Sequence, residues 1–145
     1  GRSYLAGTSE RYDVIVGDLF TPWHAGTGSL YTLEHFRTVR ARLRPGGLFA
    51  QWLPLYQLSE QEFLVIAQTQ RAVFPQVTVW RGDFSAERPI VALVARADDA
   101  PLDHAALLRN AALLTVPART GASEHMDGLF YAGNLSDAGA VPAGI

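Results

Sequence analysis

Asp18 closes a short apolar run, Tyr12-Asp13-Val14-Ile15-Val16-Gly17-Asp18. A carboxylate at such a place can bind a cationic amine or take its proton. It can also cap a turn or a helix start, which is common for aspartate there. Spacing alone slightly favours that capping role. The loop that follows holds Trp23, His24, Ala25, Gly26, Thr27 and Gly28. An aromatic ring and two glycines could form a lid over a ligand. An ordinary surface loop anchored by one indole is the commoner outcome.

Composition bounds the remaining chemistry. The 145 residues contain no cysteine, which excludes disulfides, cysteine nucleophiles and thiolate metal sites and fits a cytoplasmic protein. The four histidines, His24, His35, His104 and His125, match no metal spacing. No metal is expected, and His35, His104 and His125 read as helix-surface residues. Arg37, Arg40, Arg42 and Arg44 read as a solvated helix face rather than a phosphate site. No glycine-rich nucleotide loop or P-loop follows a strand. The net charge of -2 offers no pull toward nucleic acid or an anionic membrane. No uncharged apolar run approaches the roughly 18 residues of a membrane span, and no signal peptide opens the chain. Gly1 leads at once into patterned sequence, so the chain reads as a fragment.

The elements that must position Asp18 follow from periodicity. Residues 11–18 read as a buried, parallel strand. Residues 19–30, with Pro22, Gly26 and Gly28, read as a loop. Leu33, Phe36, Val39 and Leu43 recur at helical steps over 31–43, with Thr32 as N-cap. Arg44-Pro45-Gly46-Gly47 stops that helix, and 48–53 is a second strand. Ser59 and Glu62 form a capping box, with Leu58 and Phe63 as its staple. The helix they open runs to about Phe74 and stops at Pro75. Residues 77–80 and 90–94 read as strands, antiparallel and at the sheet edge, joined by the polar connection 81–89. Residues 102–114 and 124–132 read as helical, 119–123 as a loop, and the tail from 133 as weakly patterned.

This order predicts an α/β domain with right-handed crossovers over 1–97. Residues 98–145 are expected to be a helical, truncated extension. With 48% hydrophobic residues the chain can build a core. In open α/β sheets ligands bind beyond the carboxyl ends of strands. That rule selects Asp18 with its loop and residues 51–57, side by side if the two strands are neighbours.

Three segments resemble the spermidine-synthase (aminopropyltransferase) family. Tyr12-Asp13-Val14-Ile15-Val16-Gly17-Asp18 resembles the family's Y-D-V-I-I-x-D strand, which ends in its catalytic aspartate. Gly28-Ser29-Leu30-Tyr31-Thr32-Leu33-Glu34-His35-Phe36 resembles its S-L-[FY]-[ST]-x-E-F-[FY] segment. Leu43-Arg44-Pro45-Gly46-Gly47-Leu48-Phe49-Ala50-Gln51 resembles its L-x-P-G-G-x-[LF]-x-x-Q stretch. The opening Gly1-Arg2-Ser3-Tyr4-Leu5 is similar to the tail of D-G-x-x-[FY]-[LM]. The wording of residues 18–26 and 51–58 is closest to a bacterial subgroup often fused behind a transporter-like membrane region.

The resemblance implies the C-terminal portion of a Rossmann-like, S-adenosylmethionine-dependent methyltransferase fold. It implies decarboxylated S-adenosylmethionine as co-substrate, no metal, and a small-molecule amine such as putrescine as acceptor. Asp18 would be the base. Thr21, Gln51, Trp23 and Phe84 would line the amine, and Gly1, Asp18 and Leu19 the adenosyl co-substrate. Phe84 stands nearest the family's substrate tyrosine but has no hydroxyl. The family's D-S-S-D-P carries a second aspartate. Here the run is Asp18-Leu19-Phe20-Thr21-Pro22, so the amine loses a counter-charge.

Homodimers and a fusion to membrane helices outside this chain belong to the same implication, which would make it the soluble domain of a membrane protein. The isolated fragment is expected to be inactive. Two other functions stay open: methyl transfer from S-adenosylmethionine, and a non-catalytic ligand-binding domain attached to a membrane protein.

Overall fold

The computed structural model describes residues 1–19, 26–82, 87–98, 100, 103 and 129–134. The described elements begin with α1 (Arg2–Gly7) and β1 (Tyr12–Gly17). A 3₁₀ turn (Thr27–Tyr31) leads into α2 (Leu33–Arg42) and β2 (Leu43–Pro54). A second 3₁₀ turn (Leu55–Gln57) precedes α3 (Glu60–Arg71), β3 (Val77–Gly82), β4 (Ile90–Arg96) and β5 (Leu129–Asn134). The strands form one sheet in the order β1-β2-β4-β3-β5. β1 and β2 are parallel, and the other pairs are antiparallel. This is the mixed α/β sheet that the sequence predicts.

The helix caps follow the sequence. Thr32 Oγ1 accepts from His35 N at 3.3 Å. The Ser59 amide donates to Glu62 Oε2 at 2.7 Å, and the Glu62 amide returns a bond to Ser59 Oγ at 3.3 Å. Each side chain satisfies an amide that the first helical turn leaves without a partner.

α2 passes directly into β2. The Pro45-Gly46-Gly47 turn lies inside that strand's bounds and offsets its pairing, since Tyr12 faces Leu43 but Val14 faces Leu48. Gly46 has φ +75, a conformation that glycine adopts without strain. A Cβ on Gly47 would lie 2.9–3.1 Å from the carbonyl oxygens of Arg44, Asp13 and Tyr12. The close approach of β1 and β2 therefore requires glycine there.

The core lies between one sheet face and the helices. Phe49 of β2 has Phe36 of α2 and Phe74 beyond α3 as neighbours, each with ring centroids 5.9 Å away. These are favourable separations for offset or tilted rings. Val39, Leu43, Leu53, Val77, Val79, Val91 and Leu93 complete its fully enclosed part.

Several expectations need correction. β1 is not buried on both faces: Val14 is 56% and Val16 58% exposed. The strand lies at the end of the sheet order, so only alternate residues such as Ile15 face the core. The β3–β4 pair is not at the edge, because β5 adds to β3. Residues 129–134 are thus strand, where a helix over 124–132 was expected. His35 is 6% exposed and not a surface residue.

Arg37 and Arg44 are exposed, but Arg40 and Arg42 are not free on a solvated face. Arg40 Nη1 donates to the Val73 carbonyl at 2.6 Å, and Arg42 Nε to the Leu5 carbonyl at 3.1 Å. Arg44 belongs to β2 and pairs with Asp13 at 2.6 Å. Arginine's planar fork suits such fixed acceptors. The helix expected over 102–114, the loop over 119–123, and His24, His104 and His125 lie outside the described residues.

Candidate functional site at the tips of β1 and β2

Parallel pairing sets Gly17 of β1 opposite Gln51 of β2. The tip of β1 therefore lies beside β2 three residues before that strand ends at Pro54, and the carboxyl-end rule places a site beyond the β1 tip. Asp18 is exposed, just beyond the last residue of β1. Its Oδ1 accepts from the amide of Leu19 at 2.7 Å. One carboxylate oxygen is thus held by the main chain, while the group as a whole faces open space. That arrangement suits a group that must meet a cation from outside. Leu19 itself is exposed beside it.

Gln51 lies enclosed beside the end of β1. It is 0% exposed. Its Nε2 donates to the carbonyls of Gly17 and Asp18, both at 3.4 Å, and of Trp52 at 3.0 Å. The amide lies beneath the tip of β1, turned to main chain. Its Oε1 is buried without a hydrogen-bond partner among the described residues. Leaving such an acceptor unpaired costs about 1–3 kcal/mol. Gly17 makes room for this side chain, because a Cβ there would lie 2.8 Å from Gln51 Cδ.

Gly1 stands at the start of α1, where its carbonyl accepts from the Leu5 amide at 3.0 Å. The charge of Arg2 acts on Glu34 and His35. α1 packs against α2, where the Leu5 carbonyl accepts from Arg42 Nε. Thr21, Trp23 and Phe84 lie outside the described residues.

The loop after β2 adds groups that sequence reasoning did not single out. Tyr56 is exposed, and the Arg88 guanidinium stands 6.0 Å from its ring centroid. The Leu55 amide donates to the Pro89 carbonyl at 3.0 Å. The available signal was topological: once β2 pairs with β4, Pro54 faces Ile90 and the segments beyond them must meet. A separate cleft of about 340 Å³, lined by Arg37, Arg40, Ala41, Ala72 and Val73, lies on the helix layer away from these tips. Among the described residues no cluster of three or more His, Cys, Asp or Glu could hold a metal. No described helix is long and apolar enough to cross a membrane.

No protein-family model matches the chain. The polyamine aminopropyltransferase 2 of Hyperthermus butylicus is 39% identical over 75 residues, 51% of this chain and 25% of that protein. The polyamine aminopropyltransferase 2 of Pseudomonas aeruginosa is 35% identical over 83 residues, 56% of this chain and 24% of that protein. The chain thus spans about a quarter of the length of these relatives. Among solved structures, a methyltransferase from Pyrococcus furiosus aligns with a TM-score of 0.45 at 21% identity, over 62% of this chain and 43% of that one. Over about half of its length the chain is similar to the polyamine aminopropyltransferases, the spermidine-synthase-like family that its strand-tip aspartate motif resembles.

Proposed function

We propose that the protein of which this chain forms part transfers an aminopropyl group from decarboxylated S-adenosylmethionine to a small amine. The observation that carries this reading is the exposed Asp18 carboxylate beyond the tip of β1, held by one amide and otherwise open. The similarity to polyamine aminopropyltransferases supports it.

The chemistry needs such a group. A putrescine-like amine is mostly protonated at neutral pH, because alkylammonium groups titrate near the lysine range. Asp18 binds the ammonium, takes one proton and frees the nitrogen lone pair. The nitrogen attacks the methylene next to the sulfonium, and a C–N bond forms. The C–S bond breaks, its electron pair stays on sulfur, and methylthioadenosine leaves. Gly1 and Leu19 belong to the adenosyl side of this proposal. Thr21, Trp23 and Phe84 belong to the amine side. A dimeric assembly and a fusion to membrane helices are part of the same proposal for the whole protein.

Asp18→Asn in the full-length protein tests it. The expected outcome is loss of methylthioadenosine production from decarboxylated S-adenosylmethionine and putrescine, with co-substrate binding by calorimetry largely intact. Wild-type turnover in that variant removes Asp18 from the mechanism. Thr21, in place of the family's second aspartate, favours a second reading, methyl transfer from S-adenosylmethionine. Tighter calorimetric binding of the carboxylated form would select it.

A further inference from the structure

We infer that Gln51 is a positioning residue for Asp18, acting through the peptide unit that joins Asp18 to Leu19. The inference rests on the reading of Asp18 as the working carboxylate but makes its own claim about geometry. That peptide unit is held at both ends. Its carbonyl accepts from Gln51 Nε2 at 3.4 Å, and its N–H donates to Asp18 Oδ1 at 2.7 Å. A peptide unit is planar and rotates as one body. Whatever fixes the carbonyl therefore fixes the direction of the N–H, and with it the carboxylate that the N–H holds. Gln51 Nε2 also reaches the preceding carbonyl, that of Gly17, at 3.4 Å, so the same amide contacts the peptide units on both sides of Asp18.

Two features show that this arrangement is specific. Three main-chain carbonyls face Nε2. Turning the amide over would bring its oxygen against all three, so the donor end must point to the strand tip. The acceptor end is then left buried and without a partner among the described residues. The space for the amide exists because residue 17 has no side chain.

The experiment replaces Gln51 in the full-length protein with methionine, which keeps the length and removes the donor. The Leu19 amide is followed by two-dimensional NMR across the titration of the Asp18 carboxylate. In the wild type, the Leu19 resonance should move with pH, because its N–H is bonded to the titrating group. In Gln51→Met this response should shrink severalfold. The turnover number should fall tenfold or more, with the KM of the co-substrate within twofold.

Gly17→Ala attacks the same contact from the other strand. It should give the same loss of response, and it serves if Gln51→Met fails to fold. An unchanged Leu19 response in either folded variant overturns the inference, whatever happens to turnover. If Asp18→Asn keeps full activity while Gln51→Met still abolishes the Leu19 response, the positioning role stands and the aminopropyl mechanism falls.

Discussion

On the proposed aminopropyl reading, an ammonium substrate is held by the charges it meets, and at the residue scale the sequence offers one fewer than the family pattern. Thr21 stands where a second aspartate is expected. A hydrogen bond to a charged group contributes about 1.5–3 kcal/mol against about 1 for a neutral one. The difference corresponds to roughly tenfold in affinity. Thr21→Asp should therefore lower the KM for a diamine about tenfold in steady-state kinetics, with a smaller change in turnover number. An unchanged KM would mean that the amine is not gripped at position 21.

The sequence points to Asp18 and to residues 51–57, because ligands gather beyond strand ends, and it makes them neighbours only on the condition that β1 and β2 pair, which the structure supplies. It does not reveal what Gln51 does. An amide directed at the main chain of the adjacent strand leaves no periodic signature. The space it needs depends on one glycine whose role emerges only from the pairing of Gly17 with Gln51.

At the scale of the element, local chemistry was the most legible layer. The Ser59–Glu62 box is a four-residue pattern with one geometric meaning, and the structure shows both of its bonds. Ser59→Ala should cost about 1 kcal/mol of stability, read as a lower urea midpoint with an unchanged slope. Gly47→Ala should cost about 1–3 kcal/mol by overpacking, since its Cβ would meet three carbonyl oxygens of two strands. Gly46→Ala crowds far less and is opposed mainly by its positive φ. A larger midpoint shift for Gly46→Ala than for Gly47→Ala would contradict this account. The position of the hairpin was less legible. A hairpin looks the same from sequence whether it ends a sheet or accepts another strand, and β5 comes from about 30 residues downstream of β4.

At the scale of the whole molecule, the misjudged histidine yields a pH dependence. Helical spacing alone placed His35 on the surface, but the molecule closes over it. Burial lowers its pKa below the ordinary 6.5, and the positive charge of Arg2 on α1 lowers it further. Its Nδ1 is buried without a hydrogen-bond partner among the described residues. The folded state therefore keeps the ring neutral at a pH where the unfolded chain already binds a proton. Stability rises with pH wherever the unfolded state binds more protons. The contribution of His35 is complete above about pH 6.5 and falls as pH drops below it, until the folded-state pKa is passed.

The carboxylates act in a lower window. Asp98 is held below its usual range by Arg96, and Glu62 by Ser59. Both lose their stabilising effect only when pH falls through the carboxylate region. The two windows separate in thermal melts at fixed ionic strength. The melting temperature should decline between pH 7 and 5.5, ahead of the acid transition. His35→Gln should flatten that first decline and leave the second in place. An equal slope between pH 7 and 5.5 in wild type and His35→Gln would show that the ring is not held neutral by its burial.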